Sequence, residues 1–240
     1  MTSAPRPAEP GPRPAGDSTA SSASGTTGGE AAAPTSLSQP RRLIVLRHGQ
    51  TEHNAKGIWQ GQLDTDLSAR GHEQARAAAA ALRGLRPTRV IASDLRRAAD
   101  TGRDVATVAG LELEIDERLR EIHVGAWSGL TGEQVRERYP EDQDRLLRGE
   151  DFRRGGSGES VADVAERVGA LIREVVAAMS PGECVLLATH GVTARALVAD
   201  LVGLDQQQAW TLLGSLGNCH WAELVEGRAG WRIQTWNAHA

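Results

Sequence analysis

Residues 43–49 read LIVLRHG, and residues 184–191 read CVLLATHG. In each stretch a short apolar run ends near a histidine that is followed by glycine. A run of this length and composition is typical of a strand that is buried on both faces, as in a parallel sheet. Because open α/β sheets bind ligands at the carboxyl ends of their strands, His48 and His190 are both predicted to lie at a binding site.

The rest of the folded chain alternates short apolar runs with longer stretches of helical pattern. Strands are predicted at 43–46, 89–93, 111–115 and 184–188, with a terminal hairpin over 220–226 and 231–237. Helices are predicted at 68–83, 94–109, 159–179 and 191–203, and Thr131 and Gln134 have the spacing of a capping box. The alternation predicts an α/β fold, a three-layer α/β/α sandwich with a mostly parallel central sheet.

Residues 1–40 differ in composition from everything that follows. Pro, Gly, Ala, Ser and Thr occupy 32 of these 40 positions, and Leu37 is their only branched aliphatic residue. Such a segment buries too little apolar surface to offset its ordering entropy. We therefore expect a disordered tail over 1–40 and one domain over 41–240. A linker-like tail and an over-extended start codon both fit this composition.

The composition disfavours several classes of protein. The 240-residue chain has a formal charge of −4 and a pI near 6.0, which argues against a dedicated nucleic-acid binder. No window approaches the roughly 18 apolar residues of a membrane-spanning helix, and no signal peptide is indicated. Cys184 and Cys219 are too few for a disulfide scaffold. These features favour a protein of the reducing cytoplasm, without membrane or nucleic-acid partners.

Two further segments bring charged residues to the predicted carboxyl edge of the sheet. SDLRRAADT (93–101) follows a strand, and an Arg in the first turn of its helix would suit bidentate binding of a phosphate. Arg97 is that candidate, whereas Arg96 is assigned to the solvated helix face. Glu121 lies in the loop after the next strand, and beside these cations it becomes a candidate proton donor.

Two other interpretations of the histidines compete with a phosphate site. A single histidine at a strand end is most often a hydrogen-bonded structural residue, but two such His-Gly steps make that reading weaker. A metal pair is disfavoured because no third His, Asp or Cys accompanies either histidine at ligand spacing. The helix that begins near Gly191 adds N–H groups and a partial positive charge, which favour an anion.

In this order, the motifs resemble those of the histidine phosphatases, the phosphoglycerate-mutase-like superfamily. The likeness covers residues 41–237. It rests on RHGQTEHN (47–54), SDLRRAADT (93–101), LREIHVGAWSG (119–129), GGSGES (155–160) and ATHGVTAR (188–195). The resemblance implies a phosphomonoester hydrolase that needs no metal and no cofactor and that acts through a phosphohistidine intermediate.

The resemblance also implies a role for each matching residue. His48 matches the nucleophile, and Glu121 matches the general acid that protonates the leaving oxygen. The residues that match phosphate-binding positions are Arg47, Arg97, His190, Asn54 and Gln60, to which the helix N-terminus adds Gly191. His53 stands where the family often has an aromatic residue, a departure that concerns the shape of the substrate.

Segments outside the catalytic motifs carry a narrower resemblance, to the glucosyl-3-phosphoglycerate phosphatases of actinobacteria. These segments are QGQLDTDLS (60–68), GLT (129–131), LGNCHWAEL (216–224) and WRIQTWNA (231–238). The implied partner is a small phosphorylated sugar or glycerate. A broad-specificity phosphatase, a phosphoglycerate mutase and an α-ribazole phosphatase are the alternatives. The short segment between Glu121 and His190 favours a phosphatase over a mutase. A non-catalytic phospholigand-binding module is disfavoured because every catalytic position is filled.

Tryptophan makes up six of the eight aromatic residues. Trp59 and Trp127 lie in predicted site loops. Each could equally line a pocket or pack in the core. The remaining tryptophans are expected to pack near the terminal hairpin or to form the surface of a homodimer; they are Trp210, Trp221, Trp231 and Trp236.

Overall fold

A six-stranded sheet forms the centre of the computed structural model, which describes residues 39–240. Its strands are β1 (Arg42–Arg47), β2 (Arg89–Ala92), β3 (Leu113–Ile115), β4 (Cys184–Thr189), β5 (Trp221–Gly227) and β6 (Gly230–Ala238). The spatial order is β3-β2-β4-β1-β5-β6. The first four strands in this order pair in parallel, and the β5–β6 hairpin joins β1 antiparallel. Except for Gln39 and Pro40, the tail predicted over 1–40 lies outside the described residues.

Helices cover both faces of the sheet. They are α1 (Glu52–Ala55), α2 (Ala69–Leu82), α3 (Arg96–Ala109), α4 (Gly132–Arg138), α5 (Pro140–Leu147), α6 (Val161–Ala178), α7 (Gly191–Val202) and α8 (Gln206–Leu212). The buried residues of α2 and α3 pack on one face of the sheet, and those of α6 and α7 pack on the other. The three-layer sandwich predicted from the sequence is thereby confirmed. None of the helices in residues 39–240 combines the length and hydropathy that crossing a membrane would require.

The residues of β1 show why its sequence is apolar at every position. Leu43 and Val45 belong to the core cluster under α6 and α7, whereas Ile44 and Leu46 belong to the cluster under α2 and α3. All four side chains are at most 1% exposed. Burying one such side chain contributes about 1.5–3 kcal/mol, so both layers are held to this strand.

Among the element boundaries that differ from those predicted, two have a clear physical reason. Helix α3 begins at Arg96, two residues later than expected, because Leu95 has an extended backbone with ψ 125°. Strand β3 covers only Leu113–Ile115, the three positions that pair with β2. Local patterns locate these elements, but backbone conformation sets where the helix starts and pairing with a neighbour sets where the strand starts.

A third apolar cluster lies beneath the loop that follows β3. Trp127 is fully buried at its centre and packs against Phe152 and Tyr139. Trp127 is therefore a core residue. Trp231 and Trp236 are partly buried against the core cluster under α6 and α7. Packing thus accounts for these three tryptophans.

The first turn of α2 packs directly on the loop that follows β1. A Cβ atom at Gly71 would lie 2.0 Å from the carbonyl oxygen of Gln50, and one at Gly49 would lie 2.6 Å from the carbonyl oxygen of Gly71. Ser68, the N-cap of α2, donates its backbone N–H to the same Gln50 carbonyl at 2.8 Å. Glycine is required at both positions because backbone meets backbone there.

We predict that Gly71→Ala destabilises the domain by about 1–3 kcal/mol, even though Ala is the better helix former, because neither backbone segment can yield without moving the β1 loop. Gly84→Ala is the matched control, since a Cβ there meets open space. Thermal unfolding should show a Tm loss of about 2–4 °C per kcal/mol for Gly71→Ala only. Equal Tm values for the two variants would contradict this account of the contact.

Candidate active site

The carboxyl ends of β1 and β4 meet at one edge of the sheet. The two strands pair in parallel register with Arg47 opposite Thr189. The backbone N–H of His48 continues the ladder by donating to the Thr189 carbonyl at 2.9 Å. The residues that follow the strands therefore come together, and the ring centroids of His48 and His190 lie 5.1 Å apart.

The ring of His48 is held in one orientation. Its Nδ1 lies 2.6 Å from the carbonyl oxygen of Gly49. Because a carbonyl only accepts, Nδ1 carries the proton and Nε2 keeps a free lone pair. Burial, followed by the charges of Arg97 and Arg47, holds the pKa of His48 well below its usual range. The ring is thus neutral near pH 7 and presents a nucleophilic nitrogen.

Arg97 occupies the second position of α3 and is only 1% exposed. It donates from Nη1 to the Leu63 carbonyl and from Nη2 to the Gly61 carbonyl, both at 2.7 Å. Burial lowers its pKa to about 10, so the guanidinium is still a cation at neutral pH. Its neighbour Arg96 is exposed and pairs with Asp64 at 3.0 Å, as expected for the solvated helix face.

Arg47 lies at the end of β1, beside His48. It donates from Nη1 to the Leu216 carbonyl at 2.5 Å, and burial lowers its pKa. The Nε atoms of Arg47 and Arg97 are both buried and have no hydrogen-bond partner within residues 39–240. Buried donors without partners are costly, at about 1–3 kcal/mol each, and a bound anion would satisfy them.

His190 adds two further unpartnered atoms, its ring nitrogens, near these arginines. The residue is fully buried, and neither ring nitrogen has a hydrogen-bond partner in the described part of the chain. Burial, with the charges of Arg97, His48 and Arg47, holds its pKa well below the usual range. The neutral ring carries one N–H group, which is thus available to donate to a ligand oxygen.

Glu121 is fixed by the first turn of α7. Its carboxylate accepts the backbone N–H groups of Val192 and Thr193 at 3.2 Å and that of Ile122 at 3.0 Å. The helix N-terminus was expected to offer its N–H groups to a bound anion. The structure fills two of them with the carboxylate of Glu121, because the loop after β3 passes directly over that turn. The electrostatic attraction of the helix end serves to position the acid.

Gly191 opens space between these groups. A Cβ atom at this position would lie 3.6 Å from Nε of Arg47 and 3.7 Å from Oε2 of Glu121. The backbone of Gly191 therefore borders both the cation and the carboxylate.

Asn54 and Gln60 are oriented by threonine hydroxyls and backbone. Oδ1 of Asn54 accepts the backbone N–H of Thr51 at 3.1 Å, and Oε1 of Gln60 accepts the hydroxyl of Thr65 at 2.6 Å. Both carbonyl oxygens are therefore occupied. The amide nitrogens remain as donors, and both residues line the same cavity as His48.

The cavity has a volume of about 250 Å³. Its polar lining includes Arg47, His48, Asn54, Gln60, Arg97 and Glu121. His190 is fully buried next to His48, in edge contact with its ring. The structure thus brings all the residues that the sequence singled out, including Gly191, to one place. Within residues 39–240, no group of three or more His, Cys, Asp or Glu is arranged to hold a metal ion.

Several supporting residues were not found from the sequence. Asn218 donates to the His48 carbonyl at 3.1 Å, and Thr101 accepts the Gly49 N–H at 3.1 Å. Arg167 donates to the Glu121 carbonyl at 3.1 Å and so fixes the loop that carries the acid. Thr101 and Asn218 stood in segments already noted, but their contacts, like that of Arg167, join residues far apart in the sequence. No local pattern marks such contacts.

Comparison with known proteins agrees with this geometry. A family model of the histidine phosphatase superfamily, branch 1, matches residues 43–239. The glucosyl-3-phosphoglycerate phosphatase of Mycolicibacterium vanbaalenii is 42% identical over 218 residues, which cover 83% of this chain and 96% of that protein. The corresponding Mycobacterium tuberculosis protein is 41% identical over 216 residues, with the same coverage of 83% and 96%.

A solved structure supports the same assignment. The mycobacterial glucosyl-3-phosphoglycerate phosphatase in complex with VO3 has a TM-score of 0.76 and 43% identity, over 82% of this chain and 99% of that one. This similarity confirms the predicted phosphoglycerate-mutase-like α/β fold. The chain belongs to the histidine phosphatase superfamily and is a phosphatase.

Proposed function

We propose that this phosphatase hydrolyses a small phosphorylated sugar or glycerate, specifically glucosyl-3-phosphoglycerate, through a phosphohistidine formed on His48. One observation carries the catalytic part of the proposal. A buried, neutral imidazole with a free Nε2 shares a cavity with two buried arginines whose Nε atoms have no partner in the described residues. A nucleophile among unsatisfied cations is the arrangement that transfer from a phosphate dianion requires.

The substrate phosphate binds between Arg47 and Arg97, where its charge satisfies the buried guanidinium groups. His190 and the free amide nitrogens of Asn54 and Gln60 donate to the remaining oxygens. The Gly191 backbone lies beside Arg47 and Glu121. These residues supply the positive charge of the site, and the proposal requires neither a metal nor a cofactor.

The reaction has two steps. Nε2 of His48 attacks phosphorus in line with the ester oxygen, the P–N bond forms, and the P–O bond breaks. Glu121, which enters this step in its protonated form, donates its proton to the leaving alkoxide, which departs as the alcohol. Water then attacks the phosphohistidine, Glu121 takes the proton, and inorganic phosphate leaves with His48 restored. Arg47 and Arg97 stabilise the charge on the equatorial oxygens in both steps.

The hydrogen bond from Nδ1 to the Gly49 carbonyl serves the first step directly. As Nε2 forms its bond to phosphorus, positive charge develops on the ring. The carbonyl oxygen stabilises that charge and prevents the ring from turning. The cost of the adjacent arginine charges is offset by the negative charge of the phosphoryl group that has joined the ring.

Similarity supports the choice of substrate. The two relatives and the solved structure described above carry the same name, and each aligns over most of this chain. A broad-specificity phosphatase, a mutase and an α-ribazole phosphatase have weaker support. We place the enzyme in the cytoplasm, since Cys184 and Cys219 are both buried free thiols. The homodimer stays a prediction.

A substrate comparison in EDTA tests this proposal. Glucosyl-3-phosphoglycerate should give a higher kcat/KM than 3-phosphoglycerate, α-ribazole phosphate and p-nitrophenyl phosphate, with no isomerised product from 3-phosphoglycerate. A preference for α-ribazole phosphate, or conversion of 3-phosphoglycerate to its isomer, would replace the proposed substrate. Loss of all activity in EDTA would overturn the metal-free mechanism.

We predict that His48→Ala abolishes turnover while the domain stays folded. His48 is 3% exposed, but its side chain borders the cavity, and its backbone hydrogen bonds do not depend on the ring. Rapid quench with labelled substrate should trap an acid-labile, base-stable phosphoenzyme in the wild type. His72→Ala, at an exposed position of α2, is the control and should retain it. Phosphoenzyme in the His48→Ala protein would disprove the assignment.

We predict that Glu121→Gln affects substrates according to their leaving groups. A sugar or glycerate alkoxide needs a proton to leave, whereas p-nitrophenolate does not. Single-turnover phosphorylation by the alkyl phosphate should slow by about 10²–10⁴, and that by p-nitrophenyl phosphate much less. Glu117→Gln, which is exposed in the same loop, is the control and should slow neither.

The comparison of substrates is needed because Gln is an imperfect replacement. Its NH2 group would face a backbone donor, either Val192 on one side of the carboxylate or Ile122 and Thr193 on the other. That defect is common to both substrates, so only the ratio of their rates reports on the proton. Equal losses would show that Glu121 positions groups without acting as the acid.

A further inference from the structure

The catalytic cavity has an apolar wall that the proposed mechanism does not use. Its lining residues beyond the polar set include Ile58, Trp59, Ile122, Val124 and Val192. A phosphoryl group requires only the polar side. The organic part of the bound substrate extends from the phosphate site, and it therefore contacts this apolar wall.

Trp59 differs from the other members of this wall in having both a flat ring and a polar atom. The residue is partly buried and lines the cavity. Its indole Nε1 has no hydrogen-bond partner within residues 39–240, although it is not sealed from solvent as that of Trp127 is. Buried tryptophan N–H groups usually find a partner, so an open one at a cavity is available to a ligand.

The position of Trp59 is fixed from both sides. Its backbone N–H donates to the Leu130 carbonyl and its carbonyl accepts the Gly129 N–H, both at 2.8 Å. Its ring packs on the fully buried Trp127, with centroids 5.2 Å apart. The next residue is Gln60, which is itself held by threonine hydroxyls. A rigid aromatic surface thus adjoins a proposed phosphate ligand in the chain.

We propose that Trp59 is a specificity-determining residue that recognises the sugar ring of the phosphorylated substrate. A pyranose presents an apolar face of C–H groups and a rim of hydroxyls. The indole ring would cover the apolar face, and Nε1–H would donate to a hydroxyl of the rim. Phosphate or glycerate alone offers no such face. The inference rests on the proposed function, because it assigns a residue to the sugar of that substrate.

The test compares two substrates that share phosphate and glycerate and differ in the sugar. Glucosyl-3-phosphoglycerate and 3-phosphoglycerate are measured with Trp59→Ala, Trp59→Leu and Trp59→Phe. The ratio of their kcat/KM values should fall about 10-fold in the Ala and Leu variants and less in the Phe variant, which keeps a ring. Inhibition by the product glucosylglycerate should weaken in parallel, while inhibition by inorganic phosphate should not.

The variants also control for stability. Trp59→Leu keeps apolar contact with Trp127, so it tests the ring even where Trp59→Ala fails to fold. Trp231→Ala is the matched control, because Trp231 is another partly buried tryptophan but lines a groove with Arg41 and Leu201, away from the catalytic residues. That variant should leave the substrate ratio unchanged.

The outcomes separate this inference from the proposed function. A wild-type enzyme that does not prefer glucosyl-3-phosphoglycerate over 3-phosphoglycerate overturns both. If the wild type has that preference and Trp59→Leu shows the same ratio of kcat/KM values, only the role of Trp59 is overturned. A fall in the ratio that Trp231→Ala reproduces also overturns it, since the effect would not be local.

Discussion

The parallel pairing of β1 with β4 is the constraint on which the site depends. The strand register places Arg47 opposite Thr189. The residues that follow these two, His48 and His190, are therefore brought close together. Both strands are buried on both faces, so neither can slip by one residue without turning its apolar side chains. The core thus sets the distance between the two histidines, and the loops only complete the pocket around them.

Burial then sets the chemistry of the groups at this edge. Arg47, Arg97 and both histidines are removed from solvent at the proposed phosphate site, and this burial lowers the pKa of all four groups. The histidines give up their protons while the arginines keep theirs. One cause therefore accounts for both the neutral ring of the proposed nucleophile and the cationic pocket proposed for the phosphate.

The sequence predicted the sheet, the main helices and the residues at the carboxyl edge because each has a local pattern. Buried strands are apolar at every position, and Thr131 caps its helix as its spacing to Gln134 indicates. What the sequence could not predict was contact across the chain. Three contacts show this. The first turn of α7 donates to Glu121, Asn218 donates to the His48 carbonyl, and Trp59 packs on the buried Trp127; each contact joins segments that are distant in the sequence.

The ionisation of His48 in the ligand-free enzyme tests the central claim most directly. Two-bond 1H–15N correlation spectra between pH 5.5 and 8, assigned with His48→Ala, report both the charge and the tautomer of the ring. An ordinary histidine is mostly cationic below its pKa of about 6.5. The account predicts a neutral His48 at about pH 6, with the proton on Nδ1. A ring that is cationic near pH 7, or that carries its proton on Nε2, would contradict it.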